Sequence, residues 1–434
     1  MRNSLRTVLS YVRQDQLPPD WDFTSVGDVV SDAQYGMNVP STYDGETLIV
    51  GMKDIKAGRV LFDDLARTTV TDSELETYRL RGGDLLINRT NSLDQVGKVG
   101  IVDADRAIVF ASYLVRLSVD RSKIEPEFLN LWLNSGLAQR TIKRIATPAI
   151  GQANLNPTEF QKYCLLPLPP IAEQKRIVEF LRIWDQAIGN TEILLAAKKK
   201  RLSWLRMNLL TGKRRLPGHK ADWSTLRLRE ILTEHGLKSS GAEEVFSVSV
   251  HKGLINQIDH LGRSYAAQAT SHYNRVMPGD IVYTKSPTGD FPLGIIKQAR
   301  IDRSVIVSPL YGVFTPVNPY IGALLDAFFE SQVNTKNYLA PLVQKGAKNT
   351  IAITNKRFLD GRLRIPTDET EQAALAGIVS AARIEISVLQ RQIEALVRQK
   401  RGLVQRLLIG KWRVRPRGNG VDKSTQRAAQ QVVA

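Results

Sequence analysis

Apolar residues recur at three- and four-residue intervals through two long stretches of the chain, and the two stretches carry the same series. In the first, Leu181, Ile188, Leu195, Leu202 and Leu209 hold one position of a seven-residue repeat, and Ile177, Trp184, Thr191, Lys198 and Leu205 hold another. In the second the series are Val379, Ile386, Ile393, Lys400 and Leu407, and Leu375, Ala382, Leu389, Leu396 and Leu403. A seam of this period kept over five heptads predicts two long helices, each seeking a helical partner, and the nearest partner is the other copy. The alternative is two amphipathic helices that each lie on their own domain. Pro169-Pro170 and Pro366 precede the helices, Thr367 to Glu371 supply capping and acidic groups, and Gly212 and Gly410 end them. About forty helical residues at 1.5 Å each make a rod of about 60 Å. Thr191, Lys198 and Lys400 interrupt the seam; polar seam residues fix register at some cost in stability, and exposed ends explain them equally.

The likeness extends beyond the helices. Glu173-Gln174 and Glu371-Gln372 stand 198 positions apart, as do Gly212-Lys213 and Gly410-Lys411. Leu17-Pro18, Trp21 and the run from Phe23 to Val30 match Leu216-Pro217, Trp223 and the run from Leu226 to Ile231. Gly83-Asp84-Leu85-Leu86 matches Gly279-Asp280-Ile281-Val282, and each reads as a turn feeding a buried strand. The pattern predicts one unit written twice, with approximate two-fold symmetry. Both globular parts are mixed: strands at Leu114 to Val119, Ile281 to Tyr283 and Ser304 to Val307 alternate with helices at Pro126 to Ile145 and Ala323 to Tyr338. The expected fold is α/β (α+β), with domains at 1–170 and 217–366, long helices at 171–216 and 367–415, and a disordered tail at 416–434.

Sixty Lys and Arg against 43 Asp and Glu give a net charge of +17, which favours a polyanionic partner. From Ile193 to Ala221 and from Ala395 to Val421 there is no acidic residue, while lysines and arginines are dense. Cations at helix C-termini account for part of this through the macrodipole. The only cysteine, Cys164, excludes an internal disulfide and a cysteine-based zinc site, and is read as inert core or loop. Without a signal-like segment or a run of 18 apolar residues, the expectation is a cytoplasmic protein without a membrane partner.

Catalytic signatures are missing. No glycine-rich loop ends in Gly-Lys-Ser/Thr, since Arg214 and Trp412 follow the two Gly-Lys pairs. Asn318-Pro319-Tyr320 lacks the second proline of an amino-methyltransferase motif. Glu173-Gln174-Lys175 has the spacing of a nuclease Glu-x-Lys, but its counterpart ends in Ala373, so a helix start explains both better. The five histidines, His219, His235, His251, His260 and His272, have no metal-ligand spacing and are read as surface or core.

With Leu168-Pro169-Pro170-Ile171-Ala172-Glu173-Gln174-Lys175-Arg176-Ile177, the shorter Pro366 to Gln372 and the two Gly-Asp turns in place, the chain resembles the DNA-specificity (S) subunit of type I restriction-modification systems over residues 17 to 415. The second copy departs from the motif, with Thr367-Asp368-Glu369-Thr370 where the first has Pro, Ile and Ala. The resemblance implies two target-recognition domains related by pseudo-two-fold symmetry, each reading one half of a split double-stranded DNA site, separated by an antiparallel coiled coil of the two helices. It implies no catalysis by this chain. It also implies docking of two methyltransferase (M) subunits, with room for restriction (R) subunits; S-adenosylmethionine, ATP and Mg would be carried by those partners and no cofactor by this chain.

Within the recognition domains, the segments after the matched strands are candidates for DNA contact: Arg89, Thr90, Asn91 and Ser92 leading to Lys98, and Thr284, Lys285 and Ser286. They carry groups that bond phosphates or base edges, at loop positions a rigid strand would aim. A second pair of segments, Thr147 to Asn156 with Gln152 and Lys345 to Asn355 with Lys348, is polar and contains glycine. The loops differ between copies, so the expected target is asymmetric. Two rival readings are a stand-alone methyltransferase or nuclease with an unrecognised site, and a coiled-coil scaffold that binds DNA without sequence preference.

Overall fold

A computed structural model describes residues 12–39, 44–103, 105–149, 151–250, 252–258, 270–285, 288–345 and 351–414. Ser286, Lys348, His251, His260 and the tail at 416–434 lie outside the described residues. The chain divides into two compact units, residues 1–190 with 393–434, and residues 191–392. Both long helices form, as Ile171–Asn208 and Glu369–Leu407. Each unit therefore contains one globular part and half of each helix.

In the first unit the strands Val30–Tyr35, Leu114–Val119, Leu85–Asn88, Val99–Ile101, Arg59–Val60 and Ile55–Lys56 lie side by side in that order. All four residues of Leu85–Asn88 are buried. The turn before it is set by Gly83, at φ +95°, and by Asp84. The Asp84 carboxylate accepts from the Arg81 N–H at 2.8 Å and the Ser118 hydroxyl at 3.0 Å, tying the turn to the neighbouring strand. The helical stretch after the sheet is broken into Pro126–Leu133 and Gly136–Ile145, because Ser135 caps a new start by accepting from the Ala138 N–H at 3.2 Å. One hydrophobic core runs from the sheet through Phe128 and Leu133 to Ile177, Leu181, Leu407 and Leu408 of the long helices.

The second unit repeats this with less continuity. Its sheet orders Leu232–Glu234, Gly312–Pro316, Ile281–Thr284 and Ile295–Gln298. Gly279, at φ +91°, and Asp280 form the same turn, Asp280 accepting from the Met277 N–H at 2.7 Å and the Thr315 hydroxyl at 2.8 Å. Here the domain core around Phe314, Phe329 and Phe358 is separate from a second core of Leu202, Leu205, Leu209, Trp223, Leu324, Leu375 and Val379.

Within each unit the helix halves pack with early residues of one beside late residues of the other. In the first, Lys400 reaches Asp185 at 2.5 Å; in the second, Lys198 reaches Glu385 at 2.8 Å. The lysines that interrupt the apolar seam thus meet carboxylates on the opposite helix. Leu181, Leu202, Leu209 and Leu375 are buried, whereas Ile188, Leu195, Leu389, Leu396 and Leu403 are half-buried. An 18-residue stretch of the second helix has a mean hydropathy of 1.4 and is long and apolar enough to cross a membrane. Part of that apolarity serves packing, since Leu375, Ala376 and Val379 belong to a core, while Ile384, Val388 and Val397 stay exposed.

Candidate nucleic-acid interface

The Glu-Gln pair that opens each long helix is a structural joint. Glu173, 2% exposed, accepts from the Trp21 indole N–H at 3.1 Å and from Arg413 through Nε and Nη2, both at 2.6 Å. Glu371, 1% exposed, accepts from the Trp223 indole at 3.1 Å and from Arg215 at 2.8 and 2.7 Å. Each arginine also lies over its tryptophan ring, at 5.6 Å for Arg413 and 5.7 Å for Arg215. Gln174 donates to the Pro169 and Lys123 carbonyls and accepts from the Glu125 N–H; Gln372 donates to the Pro366 carbonyl and accepts from the Asn318 amide. A buried carboxylate neutralised by a bidentate arginine and bonded to an indole N–H is committed to its own protein partners, so the motif fastens the helix starts to the domains. Among the described residues no cluster of His, Cys, Asp and Glu is arranged to hold a metal ion. Cys164 is fully buried, and burial pushes its thiol up to about 12.

The polar segments converge in the first unit. Thr90–Asn91 is a short strand, not a loop, because Gln152–Asn154 pairs with it and in turn pairs with Thr147–Ala149. The two candidate segments, some sixty residues apart, thereby form one three-stranded sheet. Thr90 donates its hydroxyl to the Asn154 side chain at 2.7 Å, and the Asn91 amide contacts the Met52 sulfur at 3.4 Å. Arg89 is pinned through its backbone, its N–H donating to the Tyr113 carbonyl and its carbonyl accepting from the Leu155 N–H. The guanidinium lies over the Tyr35 ring at 4.9 Å, with a buried Nε that makes no hydrogen bond. Ser92 and Gln152 are exposed, Lys98 is half-buried and donates to Gln95 at 2.5 Å. Tyr35 and Tyr113, 49% and 52% exposed, complete this face and were missed by sequence reasoning, where an isolated tyrosine beside a strand carries no signal.

The second unit differs in chemistry. Thr284 closes the buried strand and is 1% exposed, so it cannot present its side chain as the sequence suggested; the strand runs one residue farther than the turn signals imply. Lys285 follows it at the surface. Burial of its stem lowers its pKa below the ordinary lysine value, and Glu234 opposes that shift. Glu234 accepts from the Asn355 amide at 2.6 Å, and Gln344–Lys345 pairs with Ile351–Ala352 as a hairpin. One unit thus offers an arginine stacked on tyrosine with no carboxylate partner among the described residues. The other offers a lysine facing a glutamate.

Residues 20–197 match the family described as type I restriction modification DNA specificity domain. The type I restriction enzyme MjaX specificity subunit of Methanocaldococcus jannaschii is 24% identical over 416 residues, covering 92% of this chain and 95% of that protein. The EcoBI specificity subunit of Escherichia coli is 28% identical over 168 residues, covering 37% of this chain and 34% of its own. Among solved structures, the type I restriction-modification S subunit from M. genitalium has a TM-score of 0.55 at 13% identity, covering 92% of this chain and 98% of that one. A chain from a study of complex assembly in a type I system gives 0.52 at 17% identity, covering 91% and 99%. These structural likenesses bear on the fold.

Proposed function

We propose that this chain is a DNA specificity subunit of the type I restriction-modification family, a reading supported by the family match over residues 20–197 and by the likeness to the MjaX subunit along most of the chain. Its target is a bipartite, asymmetric double-stranded site, one half read by each unit. The observation that carries the proposal is the convergence of Thr90–Asn91 with Thr147–Ala149 and Gln152–Asn154 on one small sheet, beside Arg89, a cation without an ion pair among the described residues. The contrast between Arg89 on Tyr35 and Lys285 beside Glu234 supports unlike half-sites, since arginine and lysine differ in the base edges and phosphates they bond. Of the sequence candidates, Arg89, Asn91, Ser92, Lys98, Gln152 and Lys285 stay assigned to this role, with Thr90 holding Asn154 in place. The paired helix halves support an antiparallel coiled coil that separates the domains at 1–170 and 217–366, related by pseudo-two-fold symmetry.

Chemistry is supplied by other polypeptides in this reading. Two methyltransferase subunits using S-adenosylmethionine dock on the exposed flanks of the helices, restriction subunits with ATP and Mg join them, and the assembly works in the cytoplasm. The test is modification mapping of host DNA with the intact gene, with its deletion, and with Arg89→Ala or Lys285→Ala. Deletion removes a split motif; each substitution weakens binding, relaxes one half of the motif if its contact is to a base, or reduces the salt slope by about one if its contact is to phosphate. Unchanged affinity, motif and salt dependence in both variants removes these residues from the interface.

A further inference from the structure

Beside the second helix, within the second unit, lies an open groove of about 320 Å³ that the reading of DNA does not use. Its walls include Arg300, Arg383, Gln298, Ser380 and Ala376. Two carboxylates stand behind it, Asp326 at 0% exposure and Glu330, and four cations face them: Arg206, Lys297, Arg300 and Arg383. The cluster thus has more positive than negative charge. Crowding is felt within it, since burial and the neighbouring Arg383 both lower the pKa of Arg206.

The arginines also keep unused donors. Arg383 contacts Asp326 at 3.1 Å through Nη1 and Glu330 at 2.9 Å through Nη2, and its buried Nε makes no hydrogen bond among the described residues. Arg300 binds Asp326 and Glu330 through Nε and Nη2, and its Nη1 makes no hydrogen bond among the described residues. Ser380 is exposed on the same helix face, one turn before Arg383. Excess charge, guanidinium planes fixed by their ion pairs with Nη1 of Arg300 uncommitted, and an open volume of this size match a tetrahedral oxyanion, which arginine binds in a fork.

We propose that this groove binds a phosphate dianion, free or as the terminal group of a nucleotide. The anion neutralises the surplus charge and bridges Arg300 to Arg383, locking the second helix to the Pro319–Phe329 helix behind it. The experiment is calorimetric titration of the full chain with inorganic phosphate, and separately with ADP, at constant ionic strength and with chloride as the control. The expected result is saturable binding at one site, weakened at least tenfold by Ser380→Glu, which sets a carboxylate in the groove and removes none of the ion-paired side chains. Arg300→Gln weakens it similarly. Tighter binding of ADP than of phosphate assigns a nucleotide, and equal affinity assigns the free anion. Absence of saturable binding beyond chloride, or binding unaffected by Ser380→Glu in a variant with unchanged circular dichroism and melting, overturns the proposal.

Discussion

The two units hold their helix halves by different physics. Counted from the proline that starts each domain helix, Leu133 in the first unit stands where Asp326 stands in the second, and Leu137 stands where Glu330 does. Across the 198-residue offset, Val404 corresponds to Arg206 and Asp185 to Arg383. One joint is a continuation of the domain core; the other packs Leu324 and Ala327 of the domain helix on the long helices and adds a charge network beside that apolar contact. A common plan therefore tolerates exchange of three apolar residues, Leu133, Leu137 and Val404, for charged ones, provided the partners change together. An unpaired member of the ionic set costs at least as much as a trimmed leucine, because the remaining charges stay buried. Asp326→Ala is expected to destabilise the second unit by about 3–5 kcal/mol. Leu181→Ala in the first costs about 3 kcal/mol through lost burial and cavity formation. Hydrogen exchange read by mass spectrometry assigns each loss to its unit. The double variant Asp326→Ala with Arg383→Ala should cost less than the two singles together, and strict additivity would show that the network is not energetically coupled.

Acid separates the joints next. Burial of Glu330 disfavours its charged form, but Arg383, Lys297 and Arg206 outweigh it and hold the pKa below the ordinary value of 4.5. For Glu243, burial is likewise outweighed by the Ser240 hydroxyl and N–H and by Arg275, which take it to about 2. With folded pKa values depressed, the unfolded chain binds protons first as pH falls. The stability these groups supply is complete above about pH 4.5 and is lost progressively toward pH 2. In the first unit the carboxylates with depressed pKa values, Asp20, Glu74 and Asp120, stand at the surface where solvent screens them, so amides of the second unit should lose exchange protection first on acidification. Simultaneous loss in both units would contradict the contrast.

What the sequence disclosed follows the range of its signals. Helix periodicity, the Gly-Asp turns and the Glu-Gln starts are local and repeated, so the long helices and the buried strands after each turn were legible. The role of Glu173 was not, because its partners Trp21 and Arg413 are 152 and 240 residues away. The strand at Thr90–Asn91 read as a loop since its ladder partner is a distant hairpin. Thr284 read as surface because a threonine ending an apolar run looks the same buried or exposed. The charge network of Asp326 was invisible for a similar reason: an aspartate in an apolar helix declares a buried partner without naming it.

The smallest expected difference lies at the helix ends, where the units are most alike. Gly212 and Gly410 adopt φ +69° and +68°, the left-handed conformation that lets the chain leave the helix, and alanine at either position is strained by about 1 kcal/mol. Their surroundings differ. A Cβ on Gly212 would come to 3.0 Å from an edge carbon of Trp223, which needs a shift of a few tenths of an ångström. On Gly410 it would come to 2.4 Å from two ring carbons of Pro18, a group without a flexible end to move aside. Gly410→Ala should therefore lower the melting temperature more than Gly212→Ala, with the excess cost on the order of 1 kcal/mol. Pro18→Ala would return the two glycines to equivalence. If the gap between Gly410→Ala and Gly212→Ala persists in the Pro18→Ala background, the closeness of Pro18 is not its cause.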